Sequence, residues 1–265
     1  MRAAALSPPR EPWLPPGFLG WALGRALALA ILVAAAWAVY ACASSERFTV
    51  RSVSVQGNAL LSQSEVDTAL GVKGVNIFWL DRQRAAARLL MMPAVQRADV
   101  EATLPDSVEV RIVERQPVAF WSSGDQSYVV DREGVILKAV DAETQQARAC
   151  AGQPCDPRLA PLPTVAQLDN SPLAPGDKVE GRAIEAAVHL ASVLPSIGVQ
   201  PVAFDWGADV GLEVPTRDGW RARFDDTADL DQQVASLQTV RDYLARSKTS
   251  AQLIDVRFGD RPYYQ

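Results

Sequence analysis

Histidine is almost absent from this chain: His189 is the only one. A histidine-based hydrolase or a histidine-rich metal site would have to use it. It lies inside an apolar helical pattern, with no Gly-rich nucleophile elbow and no H-E-x-x-H context, so it reads as an ordinary helix residue. No G-x-G-x-x-G follows a strand signal and there is no P-loop, so no nucleotide or other cofactor site is indicated. Basic runs are missing too. Residues 48–265 hold 22 of the 26 Lys and Arg and 29 of the 31 Asp and Glu, a net of −7. Such a surface cannot neutralise a row of phosphates, which argues against nucleic-acid binding. Cysteine is limited to Cys42, Cys150 and Cys155. A C-x4-C pair without a second pair is a poor zinc site. Carboxylates are numerous but scattered: Asp225-Asp226 precedes a helix signal and suits capping and the helix dipole, and Asp131 sits in a turn signal. No catalytic or metal-ligating set remains, which points to a binding protein.

What the chain does have is one long apolar run. Residues 2–20 carry Pro8, Pro9, Pro12, Pro15 and Pro16 and read as a disordered tail over 1–20. From Ala26 to Ser45 there is no charge. As a helix, residues 21–43 extend roughly 35 Å, enough for a hydrocarbon core of roughly 30 Å. Arg25 is placed to snorkel at one end, and Trp37 and Tyr40 suit the other interface. Arg2, Arg10 and Arg25 favour an N-terminus in the cytoplasm, with the bulk of the chain outside the cytoplasmic membrane; Arg47 and Arg51 weaken that contrast. Two other readings stay open: Ala41-Cys42-Ala43 fits an A-x-A cleavage site, and Val39–Cys42 a poor lipobox. The length of the apolar run favours a retained single-pass anchor.

The stretch from Phe48 to Trp121 organises the rest. Val53 and Val55 alternate with serines before Gly57-Asn58, while Phe48 and Val50 sit on the opposite parity, which predicts a bulge or a late strand start near Arg51. Ser62 and Glu65 have capping-box spacing, flanked by Leu61 and Val66 as a hydrophobic staple. Val66, Ala69 and Leu70 then share a helical face. A second helix starts near Asp81, with Ala86, Leu89 and Leu90 expected inside, and Pro93 closes it. Two half-buried strands follow: Val100, Ala102 and Leu104, then Val108, Val110 and Ile112, joined across Pro105-Asp106. The expected core is Val53, Val55, Leu70, Leu89, Val100, Val110 and Ile112.

The β-α-α-β-β order resembles a POTRA domain, expected over 48–117. Its phrases are more specific: V-x-V-x-G-N, P-x-V-x-x-A-x-V over Pro93–Val100, and L-P-x-x-V-x-V-x-I-x-E-R-x-P-x-A-x-W over Leu104–Trp121. The last resembles the bacterial cell-division family FtsQ/DivIB. A V-D-x-x-G-V hairpin follows at Val130–Val135. Beyond an irregular excursion over 138–160 come a short strand at Leu162–Leu168, a helix over Ile184–Leu194, strands near Val202–Trp206 and Val210–Val214, and the Trp220–Phe224 strand. A helix with Leu230, Val234, Leu237, Val240 and Leu244 inside then leads to I-D-V-R-F-G-D-R, which resembles the family's closing phrase. Asp225-Asp226-Thr227 departs from the Gly-Lys-like phrase that family members commonly carry there. The fold class is therefore α+β: one N-terminal transmembrane helix, a POTRA domain, and a mixed β-sheet domain with helices over 118–265.

The resemblance implies a non-enzymatic divisome scaffold at the septum that binds FtsB/DivIC-like and FtsL-like membrane proteins and helps recruit and control the septal peptidoglycan synthase complex. Leu253–Gly259 is expected to be an edge strand that accepts a partner strand. Ile254, Val256 and Phe258 would share the apolar face toward the helix carrying Leu237 and Leu244. Leu253, Asp255 and Arg257 would share the other face, with Tyr263 and Tyr264 just beyond. The expected partner-binding set is Leu253, Asp255, Val256, Arg257, Phe258, Gly259, Tyr263 and Tyr264. The plainer reading is a closing strand with no partner. Outside the cytoplasm a local Cys150–Cys155 disulfide also fits. Two rivals are a POTRA-bearing transport or assembly factor, which needs a downstream barrel this chain is too short and too helical to form, and an anchored extracytoplasmic enzyme, which lacks a catalytic set.

Overall fold

A computed structural model describes residues 18–141, 144, 158–159, 161–226, 229–258 and 261–265. The tail expected before Phe18, the expected Cys150–Cys155 disulfide and Gly259 of the expected edge strand lie outside them. The chain forms two compact units. One falls within Met1–Ser52, Val72–Leu80 and Ala102–Val108; the other comprises Val53–Gly71, Asp81–Glu101 and Glu109–Gln265.

The first unit is built on helix α1, Phe18–Ser44, which begins three residues before the expected start at Trp21. Its Leu23–Ser44 stretch is long and apolar enough to cross a membrane, with a mean hydropathy of 2.3 and none of its most apolar window buried. After a short 3-10 turn at Glu46–Phe48, Val50 is buried and its backbone is held by Val75 (2.9 Å) and Gly74 (3.0 Å). The Arg51 amide donates to the Asp106 carbonyl at 2.9 Å. These bonds occupy Val50 and Arg51, so strand β1 starts late, at Ser52 (Ser52–Gln56). At the hairpin tip, Ala102 and Leu104 are exposed, contrary to expectation. Apolar alternation continues past the last position where a helix covers the sheet, and nothing local marks that limit.

In the second unit, helix α2 (Gln63–Leu70) opens with the expected capping box: Ser62 Oγ accepts from the Glu65 amide, and Glu65 Oε2 accepts from the Ser62 amide at 2.8 Å. Leu61 and Val66 are both buried, as a staple requires. Asp81 caps α3 (Arg82–Leu90). The buried face of α3 is Ala85 and Leu89, whereas Leu90 is half-exposed. The expected Ala86/Leu90 face is thus one position off, because Ala85-Ala86-Ala87 and Leu89-Leu90 offer two nearly equivalent apolar phases. Strands β2 (Val95–Thr103) and β3 (Ser107–Glu114) complete a three-stranded sheet of order β1-β3-β2. Val53, Leu70, Leu89, Val100, Val110 and Ile112 are buried as expected, and Val55 is half-buried. Gly57 ends β1 at φ +83°, where a Cβ would lie 2.1 Å from the Ile112 carbonyl oxygen, so only glycine fits there.

The larger sheet contains β4 (Ala119–Ser123), β5 (Gln126–Val130), β6 (Ile136–Ala139), β7 (Thr164–Gln167), β8 (Phe204–Gly207), β9 (Gly211–Pro215), β10 (Arg221–Phe224), β11 (Leu253–Asp255) and β12 (Tyr263–Tyr264). Their order is β12-β11-β10-β9-β8-β7-β4-β5-β6, with β4–β7, β7–β8 and β10–β11 parallel. Helices α4 (Gly181–Val193) and α5 (Leu230–Ser247) supply Ile184, Leu190, Val234 and Leu237 to one core with Trp121, Val165, Phe204, Phe224 and Ile254. The V-D-x-x-G-V hairpin turns through Gly134, at φ +81°, where a Cβ would meet the Val179 carbonyl oxygen at 2.4 Å.

Candidate partner-binding edge

Side chains alternate across a strand, so the sheet has two chemically different faces. One is apolar and packs on α4 and α5. On the other, neighbouring strands align Asp205, Glu213, Arg223 and Asp255 in one row that ends at Tyr263 on the outermost strand. Glu213 is buried and accepts from Arg223 Nε at 2.7 Å and Arg221 Nη1 at 2.9 Å. Burial would raise its carboxyl, but the two arginines outweigh that and hold it below the usual value. Asp205 is helped only by the charge of Arg221, which does not suffice. Burial, and then the Glu213 charge beside it, push its carboxyl up.

At the end of this row Asp255 is fully buried and gripped by Arg257. Arg257 Nη2 reaches Oδ2 at 2.7 Å, Nε reaches both oxygens at 3.0 and 3.1 Å, and the Arg257 amide adds 3.1 Å to Oδ1. Arg257 Nη1 also donates to the Val210 carbonyl at 3.1 Å, tying the turn after β11 to the β8–β9 connection. This fork explains why β11 stops at Asp255 instead of running to Gly259: the Arg257 amide bonds a side chain and leaves the ladder. Ile254 and Val256 face the core as expected, but Phe258 is 59% exposed beyond the strand end.

Nor is β11 the outermost strand. Tyr263–Tyr264 folds back antiparallel along it, with Ile254 opposite Tyr264 and Asp255 opposite Tyr263. The Gln265 amide donates to the Leu253 carbonyl at 2.9 Å, and the Leu253 and Gln252 amides donate to the Gln265 carbonyl at 3.1 and 2.7 Å. Bonds at the Leu253/Gln265 pair leave Tyr264 with its main-chain groups pointing outward. Pro262 has no N–H to offer beside it. The structure thus gathers Leu253, Asp255, Val256, Arg257, Phe258, Tyr263 and Tyr264 at one lateral end of the sheet. Asp255 and Val256 are buried there, Leu253 and Arg257 half-buried, and Phe258, Tyr263 and Tyr264 exposed. Beside them an open groove of about 530 Å³ is lined by Trp220, Gln238, Arg241, Leu244, Gln252 and Ile254. His189 lies on α4 and pairs with Asp231 of α5 at 2.8 Å. Among the described residues no cluster of three or more His, Cys, Asp or Glu could hold a metal ion.

Comparison with known proteins finds the POTRA domain, FtsQ-type, over residues 48–115. The cell division protein FtsQ of Chloroflexus aurantiacus is 30% identical over 243 residues, covering 91% of this chain and 82% of that protein. The chain belongs to the FtsQ/DivIB family of cell-division proteins. FtsQ of Chloroflexus aggregans is 28% identical over 265 residues, covering 97% of this chain and 90% of its own length. DivIB of Clostridium acetobutylicum is 26% identical over 98 residues, 37% of this chain and 39% of that one.

The structure gives physical meaning to the phrases that resemble FtsQ/DivIB. In E-R-x-P, Glu114 Oε1 accepts from the amides of Ala59 (3.0 Å) and Leu61 (2.8 Å), and Oε2 from Leu60 (2.7 Å). One carboxylate thereby closes the connection from β1 to α2. Arg115, next in the phrase, pairs with Asp131 of V-D-x-x-G-V at 2.8 Å. Asp131 Oδ1 also accepts from the amides of Glu133 (3.0 Å) and Val135 (2.9 Å), which confirms its turn role. Lys138 on β6 bridges Glu65 at 3.2 Å and Asp141 at 2.9 Å. Burial disfavours both carboxyls and the ammonium, but their partners outweigh it. The two carboxylates raise Lys138, the Ser62 amide and hydroxyl and then Lys138 lower Glu65, and Lys138 with the Thr144 hydrogen bonds takes Asp141 to about 2. Sequence reasoning missed Glu114 and the Lys138–Glu65 pair because the partners lie 53–55 and 73 residues apart.

Proposed function

We propose that this FtsQ/DivIB protein is a non-enzymatic scaffold of the division septum. Residues 21–43 cross the cytoplasmic membrane once, with 1–20 in the cytoplasm, and the POTRA domain (48–117) and β domain (118–265) lie on the outer side. An FtsB/DivIC-like partner, together with an FtsL-like one, docks at the C-terminal edge of the large sheet, and this assembly helps bring in the septal peptidoglycan synthase complex.

The observation that carries this reading is the edge itself. β11 lies second from the end of a nine-stranded sheet, covered only by the two residues of β12. The outer side of β12 offers the main chain of Tyr264 alone, too little for a strand several residues long. The partner strand therefore takes the place of β12 against Leu253–Asp255. Buried Asp255 and Val256 then contribute main chain or support, while Phe258, the freed Tyr263 and Tyr264, and the groove beside Trp220 offer apolar contact. Arg257 fixes the end of the ladder, and Gly259 follows in the chain.

The test is co-purification of the full-length protein in detergent with the extracytoplasmic segment of an FtsB-like protein, beside depletion in cells. Binding at the edge and filaments lacking septa are expected. Septating cells with an unprocessed substrate would replace the scaffold by an enzyme.

A further inference from the structure

The POTRA segment Val72–Leu80 carries apolar side chains that its own unit does not cover: Phe78 is 51% and Trp79 70% exposed. Their position is not arbitrary. The Trp79 indole N–H donates to the Ala43 carbonyl at 3.2 Å, and Asn76 Nδ2 donates to the carbonyls of Cys42 (3.4 Å), Ala43 (3.0 Å) and Ser45 (3.4 Å). Cys42 and Ala43 are the end of α1, where the last carbonyls of a helix have no partner within it, and Ser45 is the first residue beyond. Leaving them bare at the edge of a hydrocarbon layer is costly. Asn76 does a second thing. Its Oδ1 accepts from the Phe78 amide at 3.0 Å and caps the 3-10 turn Ile77–Trp79. One side chain thus fastens the aromatic turn to the helix terminus. Phe48 joins the group, its ring 5.0 Å from that of Phe78.

We propose that the Asn76–Trp79 turn is a membrane-seating element whose Phe78 and Trp79 rings lie in the lipid interface and fix how this POTRA segment stands on the bilayer. The occupant is lipid because the turn is bonded to the terminus of the apolar run itself. An indole hydrogen-bonded to Ala43 sits within about one helical turn of that terminus, the depth at which Trp is enriched in membrane proteins. Trp37 and Tyr40, both about 70% exposed and about 9 and 4.5 Å from Ala43 along α1, extend the aromatic belt toward the hydrocarbon side. The inference rests on the retained-span reading proposed above.

The test uses the full chain with Cys42→Ala, Cys150→Ser and Cys155→Ser, reconstituted in phosphatidylcholine vesicles. One nitroxide is placed at Phe78→Cys, Val33→Cys or Gln126→Cys, and its collision rates with oxygen and with a water-soluble nickel chelate are compared. The oxygen-to-nickel ratio at position 78 is expected about threefold or more above that at 126, and below that at 33, as for a group seated at the headgroup boundary. Asn76→Asp keeps the acceptor that caps the turn but sets an oxygen against the helix carbonyls; position 78 should then fall to the value at 126. A water-like value at 78 beside a lipid-like value at 33 overturns the seating and leaves the span intact. A water-like value at 33 overturns both. A lipid-like value at 78 that survives Asn76→Asp overturns the role given to Asn76.

Discussion

Locking β12 onto β11 separates the two ways a partner strand could use this edge. Ile254 and Tyr264 face each other in the antiparallel pair, and bonds at the neighbouring Leu253/Gln265 pair make theirs the narrow, non-hydrogen-bonded position. Its Cα separation of about 4.5 Å falls inside the range a disulfide spans. Without the lock the tail is held weakly. The three bonds between Gln265 and Gln252–Leu253, with those of the neighbouring Asp255/Tyr263 pair, contribute about 3–5 kcal/mol net. The Tyr243–Tyr264 ring pair, at 6.3 Å on an exposed face, adds a little more. Ordering the three residues 263–265 costs about 3–6 kcal/mol of backbone entropy. The terms cancel to within about 1 kcal/mol, so the open edge is a sizeable fraction of the population and deleting residues 263–265 should raise affinity only a few-fold. Ile254→Cys/Tyr264→Cys, in a background without Cys42, Cys150 and Cys155, should by contrast lose binding by about a hundredfold or more when oxidised. Reduction should restore it, which controls for damage by the substitutions. The assay is titration of the full-length protein in detergent with the FtsB-like segment, with and without reductant. Equal binding by the oxidised and reduced forms would refute displacement and put the partner on the outer side of β12 or elsewhere.

Further outcomes follow from single groups. Glu114→Gln can keep the bonds to Ala59 and Leu61 through Oε1 but sets an amide against the Leu60 N–H; hydrogen exchange should quicken at Leu60 by about tenfold or more, and unchanged exchange at residues 59–61 would remove the carboxylate from this role. Leu89→Ala should cost about 2–5 kcal/mol through a core cavity, read by denaturant unfolding, and a loss below about 0.5 kcal/mol would contradict its burial. Asp205 has a carboxyl raised in the folded chain, so its contribution is most favourable below the unfolded value, near 3.8, and is lost as pH rises through the folded value. Asp205→Asn should therefore raise the melting temperature at neutral pH and flatten its dependence on acid; a lower melting temperature at pH 7 would reverse the sign.

Much of this fold could be read from the chain because the informative signals are local. Ser62 and Glu65 are three residues apart, Pro93 acts on its neighbour, and Gly134 closes a hairpin between adjacent strands. The closing phrase, too, leads to the lateral end where the candidate site lies. What could not be read depends on residues far apart or on near-ties. Glu114 falls on the parity of the buried Val108, Val110 and Ile112, but alternation names no partner for its carboxylate, and only folding brings the amides of 59–61 to it. Three consecutive alanines leave the phase of α3 open by one position. The alternation Ile254, Val256, Phe258 describes a longer strand than forms, because the Arg257 amide and guanidinium are both taken by Asp255. The return of Tyr263–Tyr264 along β11 has no local signal beyond Pro262.

The chain leaves the large sheet after Ala139 on β6 and returns to it at Thr164 on β7. β6 forms the lateral end opposite to β12, eight strand spacings away, or about 38 Å at the usual separation of neighbouring strands. A label attached at β6 therefore starts far from the edge where we propose that a partner docks. A fusion after Gln265, by contrast, would extend the very segment that lies along β11.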